Sequence, residues 1–180
     1  NSNSDKNGVG FMNLAAYLDS KFGWNVNADY NTLVNNYFNA VYGPAAQTML
    51  GYFNALRAQF AVIENNGSFS RMGETNYVEA EYWPEPLLKQ YIAMCDKALA
   101  EIEPLRESGD AMYDIYKEQI VLESIGPRFM LIEFYGLNYH QSELLEMKTE
   151  FKSDIIDVGI TQTAETSTAT VGALYEKWGV

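Results

Sequence analysis

The 180-residue chain is 47% hydrophobic and 20% charged, with 13 Gly and 5 Pro; this describes one globular domain, or at most two small ones, and excludes a disordered, collagen-like or membrane-embedded chain. Twenty-four acidic against 12 basic residues leave a net charge of -12, which would repel a phosphate backbone and excludes a nucleic-acid partner. One cysteine (Cys95) and one histidine (His140) exclude an internal disulfide, a cysteine-based zinc site and a His-rich metal centre.

The chain opens on Asn1 with no basic-then-apolar leader behind it, so we expect a mature or excised piece. Apolar residues then recur at helical spacing. Phe11, Leu14, Ala15, Leu18 and Phe22 share one face and predict a helix over about 10–22. Asp29 offers a capping oxygen to a second helix, 29–42, striped by Leu33, Val34, Tyr37, Phe38 and Val41. Gly43 stops it and Pro44 opens a third helix, 44–64, with Met49, Tyr52, Leu56, Phe60 and Ile63 on its face. From 65 to 83 the period is lost, which predicts a long loop decorated by Tyr77, Tyr82 and Trp83.

A fourth helix, 85–106, carries Leu88, Tyr91, Ile92, Cys95, Leu99 and Ile102, and Ser108-Gly109-Asp110 ends it. The fifth, 110–137, contains Pro127, which removes the hydrogen bond to the Glu123 carbonyl, so a kink is expected there. Ser142 is placed to cap a sixth helix, 143–158, ended by Gly159. Residues 161–170, rich in Thr, Ser and Ala, read as an extended connection before a last short helix, 170–178. The expected fold is all-α: a single domain forming a bundle of six or seven mostly antiparallel helices.

Charge is unevenly spread. Residues 1–63 hold three acidic and three basic residues, so the whole -12 lies beyond Ile63, and Tyr30–Leu56 is 27 residues without a charge. The Asn, Gln, Gly and Pro within that stretch exclude a membrane span. Two readings remain: helices one to three pack on both sides, one side against a body outside this chain, or asparagine simply supplies their solvent face.

Glu79, Glu81 and Glu85 surround Tyr82 and Trp83. Paired carboxylates beside aromatic rings are what a glycosidase site uses. Yet Glu79 and Glu81, two apart in an extended segment, share one solvated face, so Tyr77, Glu79, Glu81, Tyr82 and Trp83 are read as a carbohydrate or partner contact and no catalytic residue is assigned. A di-iron site needs Glu-x-x-His, and Leu137 stands three residues before His140. No Gly-x-Gly-x-x-Gly, phosphate loop or Gly-x-Ser-x-Gly occurs, so no metal or cofactor is expected.

The words Gly10-Phe-Met-Asn-Leu-Ala-Ala-Tyr-Leu-Asp-Ser-Lys-Phe-Gly-Trp-Asn-Val-Asn-Ala-Asp29 and Leu33-Val-Asn-Asn-Tyr-Phe-Asn-Ala-Val-Tyr-Gly-Pro-Ala-Ala46 resemble the region after the last barrel strand in a bacterial domain-of-unknown-function family akin to alpha-glucuronidases and hexosaminidases. The tail from Phe151 through Ile160-Thr161 and Glu165 to Trp178 is similar to that family's C-terminal end. Val26 stands where the family has a proline after Trp24-Asn25. The resemblance implies the helical C-terminal region of a secreted, periplasmic or cell-surface protein acting on polysaccharide. An upstream barrel would supply the chemistry and pack against Phe11, Leu14, Leu18, Trp24, Tyr37 and Tyr42. The chain alone would then not be an enzyme, although its parent would be a glycoside hydrolase or a relative. The alternative is a stand-alone helical module that binds carbohydrate or protein.

Overall fold

The computed structural model describes residues 11–65, 79–162 and 170–180. Within them seven α-helices follow in order, α1 (Met12–Trp24), α2 (Tyr30–Tyr42), α3 (Ala46–Asn65), α4 (Glu85–Ser108), α5 (Met112–Tyr135), α6 (Gln141–Asp157) and α7 (Val171–Trp178). The fold is all-α, and among the described residues extended pairing is limited to one isolated bridge between Gln162 and Thr170.

Local chemistry sets the boundaries. The Asp29 carboxylate accepts the Thr32 N–H at 2.6 Å, satisfying one of the orphan donors at the start of α2. Gly43 takes φ +51, a conformation a side chain resists, and the Tyr116 ring lies against it so closely that a Cβ there would sit 2.3 Å from a ring carbon. Pro44 follows in a single 3₁₀ turn (Gly43–Ala45) leading into α3. Gly109 (φ +72) closes α4, and the backbone turns through Gly159 (φ +75) just after α6. The start of α6 differs from expectation. His140 is its N-cap, without a side-chain capping bond, and Ser142 falls inside the first turn.

From α1 to α6 consecutive helices pack on one another, and α4 against α5 is the most extensive pairing. Two apolar clusters result. The larger joins α1 through α4 and one side of α5, with Phe38, Met49, Leu88, Ala98, Ile102 and Ile120 fully buried. The smaller lies on the other side of α5, where Val121, Leu122, Ile125 and Ile132 meet Phe151, Ile155, Tyr175 and Trp178 of α6 and α7. Because α5 serves both clusters it is apolar around much of its circumference, as a helix packed on two sides must be.

The proline in α5 has a specific consequence. α5 is continuous from Met112 to Tyr135 with Pro127 inside it, so the Glu123 carbonyl has no N–H four residues on. The Tyr52 hydroxyl of α3 donates to that carbonyl at 3.1 Å. The helix defect is thereby repaired by a neighbouring helix, which ties α3 to α5.

Candidate functional site

Of the loop residues read as a contact site, Tyr77 lies outside the described residues. Glu79 and Glu81 are exposed and Tyr82 is half-buried. Trp83 is only 2% exposed and meets the Phe60 ring edge-on at 5.6 Å. That corrects the expectation for Trp83: an indole enclosed by this chain's own core presents no face on which a sugar could stack. The segment around it is pinned from both sides. The Tyr135 hydroxyl shares its one proton between the carbonyls of Ala80 (3.2 Å) and Trp83 (3.1 Å), and the Gln59 amide donates to the carbonyl of Tyr82. What remains is an open depression lined by Gln59, Val62, Glu81 and Tyr82.

Glu85, the third carboxylate of the group, starts α4 and is already engaged. It pairs with Lys89 at 2.9 Å and accepts from Asn138 Nδ2 at 2.9 Å and the Tyr139 hydroxyl at 3.0 Å. These bonds, Lys89 foremost, hold its carboxyl below the ordinary range. A carboxylate stabilised in its charged form is a poor proton donor near neutrality, the opposite of what a glycosidase acid requires.

The residues expected to pack against an absent body divide sharply. Phe11, Leu14, Tyr37 and Tyr42 are buried in this chain's own core, with Leu18 half-buried beside them. Phe11 packs with Phe38, Tyr52 and Phe53 at centroid distances of 5.7, 5.6 and 5.0 Å. Four of the six therefore hold α1 and α2 to this domain and leave no surface for a partner, a correction to that expectation. Trp24 is different: it stands 92% exposed, with Val26 at 81% and Tyr30 at 37% around the same α1–α2 corner.

Glu123 is the residue the periodicity did not single out. Its carboxylate accepts the Phe11 N–H at 3.1 Å on each oxygen and lies near the Tyr42 hydroxyl. The backbone of Phe11 is left-handed, φ 61, the one positive-φ side-chain-bearing residue among those described, and this charge-assisted bond helps to hold it there. Burial, followed by the Glu123 charge, pushes the Tyr37 hydroxyl up to about 12, and the same two causes raise Tyr42 well above its ordinary value. Cys95 is likewise pushed up to about 12, burial leading and Glu123 next, so its thiol stays protonated and unreactive. The one sequence signal for this hub was Pro127, four residues after Glu123.

On the other side of α5 an open depression is lined by Asp114, Lys117, Glu118, Val121, Asp154, Asp157 and Val158. Asp154 is paired with Arg128, and among the described residues no His, Cys, Asp or Glu group is arranged to hold a metal ion. His140 is exposed at the start of α6.

The outward surfaces of the first third of the chain include the Trp24 corner and the outer face of α2, where Asn31, Thr32, Asn35, Asn36, Asn39 and Ala40 are exposed. Neither carries chemistry of its own; both can serve contact. No helix of the described residues is long and apolar enough to cross a membrane. The chain matches no family model, no curated protein and no solved structure.

Proposed function

We propose that this chain is a non-catalytic helical domain of a glycoside-hydrolase-like protein that acts on polysaccharide outside the cytoplasm. In this reading its first two helices pack against a barrel that precedes it in the same polypeptide. The observation that carries the reading is the outer face of α2, exposed yet without a charge from Tyr30 onward. The outer faces of α4 and α6, by contrast, carry Lys89, Asp96, Lys97, Glu143, Glu146 and Glu150. A face meant for water alone gains solubility from Lys and Glu; one that must later shed its water does so more cheaply when it bears only amides.

The division of labour follows from the residues. Phe11, anchored to Glu123, fixes where α1 begins; α1 and α2 present the docking surface; α4 to α7 form an acidic outer body that supports them. Carboxylates for glycoside hydrolysis would be supplied by the barrel. Two measurements test the proposal. The coding sequence ahead of Asn1 is expected to encode a barrel of several hundred residues, and the isolated chain is expected to give no turnover of aryl glycosides. Enzyme-like rates from the isolated chain, or a coding sequence with no barrel, would end the reading.

A further inference from the structure

We propose that the surface between α5 and α6 is a helix-binding site and that α7 is its displaceable intramolecular occupant. The ligand class is a short amphipathic helix carrying an aromatic residue, a basic residue two positions on and a tryptophan at the third, as Tyr175, Lys177 and Trp178 do in α7. α7 has eight residues, too few to stay helical in water by themselves, so it folds only where it is seated. Both underlying helices build the seat. Trp178 stacks on Phe129 of α5 at 6.0 Å and meets Phe151 of α6 edge-on at 5.2 Å. Its indole Nε1 donates to Glu133 at 2.6 Å, and Lys177 pairs with the same carboxylate. From α6, Lys148 donates to the Trp178 carbonyl at 3.2 Å, and Lys152 lies over the Tyr175 ring at 5.1 Å. An apolar slot for one large ring, flanked by a carboxylate and two ammonium groups, is how a groove reads an amphipathic helix.

Two observations set this seat apart from the rest of the core. α5 and α6 pack directly on each other, whereas α7 is attached through its large side chains, with little close approach of its backbone to either helix. The seat is therefore built without α7. The fit is also imperfect at one place: the Tyr175 hydroxyl is buried without a hydrogen-bond partner. A buried donor left unpaired opposes seating by the cost of its lost water, which weakens the grip on α7 and leaves it releasable. Belonging to the same chain compensates. α7 meets its seat at an effective concentration of roughly millimolar, which keeps a weakly held helix in place and excludes a similar helix arriving from solution.

The test is fluorescence anisotropy of a fluorescein-labelled peptide of residues 170–180, titrated into the full chain and into its Trp178→Ala variant. The wild-type chain, its seat filled, should bind the peptide at least roughly tenfold more weakly than the variant, whose own α7 has lost its indole. In the variant background Glu133→Gln should weaken binding severalfold, because it removes the charge that pairs with Lys177. A Tyr175→Phe peptide should bind about tenfold more tightly, having no hydroxyl to bury unpaired. Equal affinity for wild type and variant, binding indifferent to Glu133→Gln, or no binding by a folded variant overturns the proposal. Native-state hydrogen exchange on the wild-type chain covers a variant that does not fold. In urea below the unfolding midpoint, amides of residues 171–178 should exchange through an opening of their own, while those of α5 and α6 await global unfolding. Exchange of α7 only together with α5 would make it a fixed part of the core and would equally overturn the proposal.

Discussion

At the scale of single residues, the repair of the Pro127 defect by Tyr52 makes a quantitative expectation. Tyr52→Phe deletes the donor that serves the Glu123 carbonyl, a part-buried hydrogen bond worth about 0.5–1.5 kcal/mol. Pro127→Ala restores an N–H four residues after Glu123, so in that background the Tyr52→Phe cost should shrink by most of its value. Urea unfolding of the four proteins in a double-mutant cycle reads the difference; equal costs in both backgrounds would show that Tyr52 does not act through that carbonyl. The tryptophans give a second contrast. Trp83→Ala removes an indole from the core, worth about 3–5 kcal/mol, while Trp24→Ala in the isolated chain removes only a solvated ring and should change stability by less than about 0.5 kcal/mol. If thermal melts showed Trp24→Ala to be the costlier change, the placement of the two rings would be wrong.

Helices, as elements, were mostly legible because their signals are local. The stripes at i, i+3 and i+4, the Asp29 cap and the Gly43-Pro44 and Gly109 stops each act within a few residues, and the seven helices begin and end close to where those signals fall. What was not legible depends on partners distant in sequence. Trp83 sits in a segment whose Gly, Ser and Asn neighbours read as surface loop, and contacts with residues distant in sequence, Phe60 of α3 among them, make it core. Phe11, Leu14, Tyr37 and Tyr42 read equally well as facing an outside body or one another, because periodicity reports that a face is buried and not against what.

The attachment of α7 was hidden for the same reason: Glu133 of α5 accepts Trp178 Nε1 at 2.6 Å and pairs with Lys177, which no spacing rule connects. Lys148 adds a bond to the Trp178 carbonyl at 3.2 Å. Burial alone would raise the Glu133 carboxyl, but the bonds from Lys177 and Trp178 outweigh it and leave the carboxyl below its ordinary 4.5. A carboxyl lowered in the folded state lends stability above its unfolded value and loses it as pH falls through the folded one. α7 should therefore hold at neutral pH and loosen below about pH 4.5. Protection against hydrogen exchange over residues 171–178, taken relative to the intrinsic amide rate at each pH, should fall in that range, and Glu133→Gln should both lower protection at pH 7 and flatten its pH dependence. Unaltered exchange in the variant at both pH values would show that packing of Trp178 on Phe129 and Phe151 alone holds the helix.

For the whole molecule the governing quantity is the charge of -12, all of it beyond Ile63. Two opposing effects of salt must be weighed. Screening weakens the ion pairs of that half, among them Lys89–Glu85, Lys97–Glu101 and Arg106–Glu103. Each is an exposed pair within one helix turn, worth at most a few tenths of a kcal/mol. Screening also relieves repulsion among the unmatched carboxylates, such as Glu146 and Glu150, exposed and four apart on α6, and that repulsion is larger in the compact state than in the expanded chain. With acidic residues outnumbering basic ones by 12, the second effect wins. Raising NaCl from about 10 to 200 mM shortens the screening length from roughly 30 to 7 Å, and stability should rise by about 1 kcal/mol, or roughly 2–4 °C in Tm for a chain of this size. Glu146→Gln and Glu150→Gln together should raise stability at low salt and reduce the gain from NaCl, since they remove charges rather than shield them. If the midpoint of urea unfolding fell with salt, ion pairing rather than self-repulsion would govern the acidic half, and α4 to α7 would have to be regarded as a cross-linked body instead of one held together by its two apolar clusters against its own charge.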